Sequence, residues 1–125
     1  VITNQSGIAR GYYTEQDAIK IFDYMTNELA KKGIKIEKVY YCPHIGNECD
    51  CRKPKLGLFY QAQKDFDIDF SHSYAIGDKL RDLEICNKEN VKGFLLDQDI
   101  KIQNGNIRKC KNLLEAAQII EKRNG

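Results

Sequence analysis

The chain has 125 residues, 42% of them hydrophobic and 30% charged, a composition that suits one soluble globular domain and excludes a disordered one. Its 20 basic and 18 acidic side chains leave a net charge of +2, too balanced for nucleic acid to be the main partner. No apolar run approaches the ~20 residues of a membrane span and no signal peptide opens the chain, so five cysteines, an odd number, point to a reducing cytoplasm.

In chain order, Val1-Ile2-Thr3 reads as the end of a β-branched strand, broken by the polar Asn4-Gln5-Ser6-Gly7. A start at Val1 without Met, inside what reads as a strand, predicts a fragment lacking its N-terminal part. Gly7 and Gly11 bracket a loop that is mobile or closely approached by a ligand. Thr14 followed by Asp17 forms a capping box, and Ala18, Phe22, Met25 and Leu29, with Ile21 beside them, predict a helix that Gly33 ends. A strand is predicted over Ile36–Tyr41. Pro54 opens a helix whose apolar face is Leu58, Phe59, Ala62 and Phe66. Ser73–Ile76 reads as a strand closed by Gly77-Asp78, Leu80, Leu83 and Cys86 mark a helix, and Lys92–Leu96 is a further strand. A polar loop comes next, over Asp97–Gly105. Asn112 with Glu115 caps a last helix marked by Leu113, Ala117 and Ile120. Cys86 and Cys110 are expected to be ordinary buried or near-surface thiols, and His72 a surface residue without a partner. Alternating strands and helices mean an α/β domain with a mostly parallel sheet, which places ligands outside the carboxyl ends of the strands.

The densest chemistry lies in Cys42-Pro43-His44 and Cys49-Asp50-Cys51. Thiolates and imidazole are zinc's preferred ligands, and four complete a closed tetrahedral site without an open position for water. Gly46 and Asn47, midway, are expected to turn the loop back. The rivals are a disulfide or a chance cluster of thiols; mixed Cys and His in one short loop fits structural zinc better. Arg52 and Lys53, directly after the loop, form either a phosphate clamp or a solvated basic pair.

Thr3, Asn4, Cys42, Asp78 and Asp97 are all predicted just past strand ends, so the polar chemistry gathers on one rim. Asp78 and Asp82 stand four residues apart. Such carboxylates hold magnesium against a substrate phosphate, or serve as a helix cap and a helix-dipole partner. The Thr3 hydroxyl, Lys53 and Asp78 together suggest one phosphate pocket.

A specific resemblance goes further. Thr3-Asn4-Gln5-Ser6-Gly7-Ile8-Ala9-Arg10-Gly11, Cys42-Pro43-His44, Cys49-Asp50-Cys51-Arg52-Lys53-Pro54 and Gly77-Asp78-Lys79 resemble the D-glycero-D-manno-heptose 1,7-bisphosphate phosphatases of the haloacid dehalogenase superfamily, from Val1 to about Leu96. The resemblance implies a Rossmann-like parallel sheet in a single domain over residues 1–125, with a zinc loop over 42–51. It also implies magnesium-dependent hydrolysis of a sugar bisphosphate through an aspartyl-phosphate. By the match, Thr3 is the second superfamily motif, Lys53 the third and Asp78 the magnesium-binding fourth. Asn4, Arg10, Arg52 and Lys79 take positions that face substrate. The chain departs from the family in lacking the Asp-x-Asp of the first motif on the central strand, which supplies nucleophile and general acid. Asp67-Ile68-Asp69 and Asp97-Gln98-Asp99 lie elsewhere. The expectation is therefore an inactive piece of a monomeric cytoplasmic enzyme with a small-molecule substrate and no nucleic-acid or membrane partner. Without its central strand the sheet is expected to split beside Val1–Thr3. The alternatives are a histidinol-phosphate phosphatase domain and a non-catalytic zinc module.

Overall fold

β-Branched Ile2 and Thr3 lie in strand β1 (Ile2–Asn4), which pairs in parallel with β2 (Tyr40–Cys42), Thr3 opposite Tyr41 and Asn4 opposite Cys42. The computed structural model describes residues 1–46 and 49–124, so the expected turn residue Asn47 lies outside the described residues. The chain forms two compact units, Val1–Gln61 and Ala62–Gly125.

In the first unit a parallel pair needs a crossover, and helix α1 (Glu15–Lys31) supplies it. Its capping box is complete: Asp17 N donates to Thr14 Oγ1 (3.1 Å) and Thr14 N donates to Asp17 Oδ2 (3.0 Å). The Thr14 amide holds the Asp17 carboxyl below its ordinary range. Gly33, at φ +80°, lies just past the helix end. Of the expected apolar face only Ala18 is buried; Phe22, Met25 and Leu29 are half-buried and Ile21 is exposed. Phe22 packs on Tyr41 with ring centroids 5.5 Å apart. The strand expected from Ile36 begins only at Tyr40. β1 pairs with Tyr40–Cys42, Tyr40 N donates to Val1 O (2.7 Å) and Val1 N to Lys38 O (3.0 Å), and Ile36–Val39 otherwise stay irregular despite their β propensity. Helix α2 (Gly57–Phe66) starts three residues after Pro54, not at it. Arg52 to Lys55 first make a turn, with Lys55 N donating to Arg52 O at 2.8 Å.

The second unit is a three-stranded parallel sheet, β3 (Tyr74–Gly77), β4 (Lys92–Leu95) and β5 (Ile107–Lys109), with β4 central. Here the expected parallel sheet is present, while β1 and β2 form a sheet of their own. Strand β5 was not expected. A 3-10 turn over Leu80–Leu83 and the short helix α3 (Ile85–Lys88) replace the single helix predicted there. The core gathers on Phe94, Cys110 and Ala116, with Tyr74, Leu96, Ile119 and Ile120 against them. Of the predicted face of helix α4 (Leu113–Asn124), Ile120 packs on the core, while Leu113 is 59% exposed and Ala117 exposed, and the fully buried residue is Ala116. Asn112 Oδ1 accepts from Glu115 N (2.9 Å) as expected of a cap. Cys86 and Cys110 are buried thiols, and burial pushes Cys86 up to about 11. No helix among the described residues is long and apolar enough to cross a membrane.

Gly93 in β4 has a specific packing reason. A Cβ there would lie 2.7 Å from Cys86 Sγ and 3.3 Å from Ile107 Cγ1. Gly93→Ala is expected to lower stability by about 1–3 kcal/mol through overpacking, measured as a shift of the urea midpoint.

Candidate functional site

In the first unit β2 delivers Cys42, fully buried, to the start of the loop. Gly46 turns the chain at φ +64°, and Cys49 and Cys51 come back against Cys42 and His44. Cys42 Sγ lies 3.4 Å from His44 Nδ1 and 3.4 Å from Cys49 Sγ; Cys51 Sγ lies 3.3 Å from His44 Nδ1 and 3.1 Å from Cys49 Sγ. All four donor atoms fall within 4.8 Å of one another, and no disulfide joins them. Zinc–sulfur and zinc–nitrogen bonds of about 2.3 and 2.0 Å set tetrahedral edges of roughly 3.5–3.8 Å, so the quartet fits one zinc once its close pairs open slightly and its widest separation draws in. The Cys51 thiol donating to Cys49 pulls the latter down to about 6, while burial and the neighbouring sulfurs raise Cys51. Sulfurs this close cannot all ionise without a cation, and a divalent ion among them removes the conflict.

The loop is stitched to the segment after it. Lys55 Nζ donates to Cys49 O (2.5 Å), Arg52 Nη1 to His44 O (3.4 Å) and Gly57 N to Asp50 O (3.0 Å). Gly57 must be glycine for that last approach, because a Cβ would sit 2.4 Å from Asp50 O. Asn4, at the end of β1, grips Lys53 from both sides: its Nδ2 donates to Lys53 O (3.3 Å) and its Oδ1 accepts from Lys53 N (3.0 Å). The Lys53 ammonium donates to Ile2 O at 2.9 Å. Lys53, 49 residues beyond Asn4, therefore lies along β1, its backbone on Asn4 and its ammonium on Ile2 O. Both ends of the Asn4 amide, expected to face substrate, engage the Lys53 backbone. Arg10 lies exposed in the turn after Ser6.

Sequence reading missed two residues here. Tyr13 donates to Gln5 Oε1 (2.5 Å), and Gln5 Nε2 donates to Thr3 Oγ1 (3.0 Å). The one available signal was Gly7, whose missing side chain leaves room for the Tyr13 ring.

In the second unit Asp78 comes directly after β3 and is exposed, as is Lys79. Asp82 turns back to accept from Lys79 N (3.2 Å), and Gly77 makes room for it: a Cβ there would lie 2.4 Å from Asp82 Cβ. Asp82 is thus a local cap, and Asp78 is the carboxylate presented at the strand end. Asp97 Oδ1 accepts from Asp99 N (2.9 Å), and Asp69 caps a 3-10 turn over Phe70–His72 by accepting from Ser71 N (3.0 Å). His72 is on the surface as expected but not alone, for its Nδ1 lies 2.7 Å from Asp69 Oδ2.

No protein-family model matches the sequence. Among curated proteins, the chain is 42% identical over 123 residues to the D-glycero-alpha-D-manno-heptose-1,7-bisphosphate 7-phosphatase of Campylobacter jejuni, covering 98% of this chain and 71% of that protein. It is 45% identical over 104 residues to the D-glycero-beta-D-manno-heptose-1,7-bisphosphate 7-phosphatase of Haemophilus ducreyi, covering 77% of this chain and 57% of the relative. The chain thus spans little more than half of several relatives it matches. Among solved structures, the D,D-heptose 1,7-bisphosphate phosphatase from B. bronchiseptica, complexed with magnesium and phosphate, superposes with a TM-score of 0.87 at 28% identity, over 98% of this chain and 73% of that one. A putative haloacid dehalogenase-like phosphatase from Mesorhizobium loti gives 0.78 at 27% identity, over 97% and 64%. With a Cys-His quartet in one loop, polar residues at the strand ends and this likeness along nearly its whole length, the chain belongs to the D-glycero-D-manno-heptose-1,7-bisphosphate 7-phosphatase family of haloacid dehalogenase-like phosphatases.

Proposed function

We propose that the complete protein is a magnesium-dependent phosphatase that removes the 7-phosphate of D-glycero-D-manno-heptose 1,7-bisphosphate through an aspartyl-phosphate. The single observation that carries this is the 42% identity to a heptose bisphosphate phosphatase over 98% of the chain. Residues 1–125 belong to one phosphatase domain in this reading. Thr3 donates its hydroxyl to a phosphate oxygen, and Lys53 sets its ammonium against the phosphate charge. Asn4, which also holds the Lys53 backbone, Arg10, Arg52 and Lys79 face the sugar bisphosphate. Asp78, an exposed carboxylate at a strand end, suits magnesium, which binds through one or two carboxylates together with substrate phosphate. When bound, the ion neutralises phosphate charge and orients the ester. Zinc in the Cys42–His44–Cys49–Cys51 quartet is structural. In this reading the nucleophile comes from an Asp-x-Asp on the central strand, and neither Asp67-Ile68-Asp69 nor Asp97-Gln98-Asp99 takes that part. The protein acts on a small molecule, as a cytoplasmic monomer without nucleic-acid or membrane partners.

Phosphate release from heptose 1,7-bisphosphate is the test, with histidinol phosphate as control. The complete protein is expected to turn over the heptose ester only with magnesium, and the 125-residue chain to turn over neither. Turnover by this chain itself, with contaminants excluded, would place the nucleophile among its own residues. Preference for histidinol phosphate would move the protein to the neighbouring activity.

A further inference from the structure

The Thr3 hydroxyl sits at the end of a relay. Tyr13 donates to Gln5 Oε1 at 2.5 Å, and Gln5 Nε2 donates to Thr3 Oγ1 at 3.0 Å. A hydroxyl has one proton and two lone pairs, whereas an amide has a donor end and an acceptor end. With the Gln5 amide in this orientation, one Thr3 lone pair is filled and the Thr3 proton points elsewhere. Its outlet among the described residues is Asn4 O at 3.4 Å, too long for a good hydrogen bond. With the amide reversed, Oε1 would face Thr3 and take that proton. Tyr13 selects between the two, because a phenol is a better donor than acceptor and so draws Oε1 towards itself.

The close approach of Tyr13 is built into the loop. A Cβ at Gly7 would lie 2.3 Å from Tyr13 Cε1 and 2.8 Å from its hydroxyl oxygen, so a side chain there displaces the ring. All three relay residues are half-buried, which limits competition from water.

We propose that Tyr13 is a positioning residue that acts through Gln5 to keep the Thr3 hydroxyl a proton donor towards a phosphate oxygen. This rests on the phosphatase reading for what Thr3 donates to, and on the relay alone for how it is aimed.

A double-mutant cycle on the complete protein separates aiming from packing. Tyr13→Phe is expected to lower kcat/KM for heptose 1,7-bisphosphate about tenfold, and to weaken inhibition by inorganic phosphate by a similar factor. Thr3→Val is expected to cost about a hundredfold, and Tyr13→Phe to cost nothing further in that background. Gly7→Ala should reproduce the Tyr13→Phe loss with the phenol still present. Additive losses, or a Tyr13→Phe enzyme within about twofold of wild type, overturn the inference and leave the phosphatase reading intact. The side-chain amide of Gln5, followed by NMR, decides independently of activity. One Nε2 proton should be protected from exchange in the wild type and lose protection in Tyr13→Phe. Equal, unprotected Nε2 protons in the wild type overturn the relay even if no sugar phosphate proves to be a substrate. A protected proton without turnover leaves the relay standing and sinks only the phosphatase reading.

Discussion

Zinc removal is expected to collapse the first unit, and Cys51→Ser is expected to do much the same. The complete protein, purified without chelator, should hold one zinc in the site formed by Cys42, His44, Cys49 and Cys51. Structural zinc contributes about 10–16 kcal/mol of apparent binding free energy in small domains, on the scale of a whole domain's ~5–15 kcal/mol of stability. The first unit has little else to fall back on. Among its described residues the buried apolar side chains are Ala18, Tyr40 and Cys42, and Cys42 is itself a ligand in this reading. The stitching of Lys55 to Cys49, Arg52 to His44 and Gly57 to Asp50 also depends on the loop keeping its path. Chelation should therefore expose the segment from Cys42 to Gly57 to proteolysis, and added zinc, but not magnesium, should restore protection. A metal-free protein that keeps its full stability, with four titratable groups in the quartet, would end the zinc assignment.

The quartet was legible because ligand identity and spacing survive in one dimension. Cys-x-His and Cys-x-Cys need only a turn between them, and Gly46 marks it. The Thr14–Asp17 capping box was legible for the same reason, since both of its bonds are local. The hidden features depend on distant partners. Ile107-Arg108-Lys109 carries one apolar residue and no alternation, and is a strand only because β4 offers it a ladder. Ile36–Val39 carries the propensity, yet the β1 ladder takes in only Tyr40–Cys42. Leu113 looked like core by periodicity, yet the face of α4 that Phe94 and Cys110 receive is centred on Ala116. The Asn4–Lys53 clamp spans 49 residues, and the Tyr13–Gln5–Thr3 relay joins loop residues that no period relates. Residue types at the site could be read from sequence; what holds each of them could not.

Lys53→Met in the complete protein is expected to lower kcat/KM about a thousandfold, while zinc content and melting temperature stay near wild type. Methionine keeps most of the length of the aliphatic stem and removes the charge. The backbone of residue 53 should stay in place, because Asn4 holds its N–H and C=O and not its side chain. The loss therefore reports the ammonium, which lies against β1 through its bond to Ile2 O. Asp78→Asn is expected to lower activity as steeply, for a different reason. An amide oxygen is a weaker magnesium ligand than a carboxylate, so the defect is one of ion affinity. By mass action, raising magnesium should recover a good part of Asp78→Asn activity and none of Lys53→Met activity. Measuring kcat/KM against magnesium concentration for both variants separates the roles. If magnesium rescues both or neither, Asp78 is not the metal carboxylate. If Lys53→Met stays within about tenfold of wild type, its ammonium does not bind phosphate, and Lys53 and Arg52 serve only their contacts with Ile2 O and His44 O.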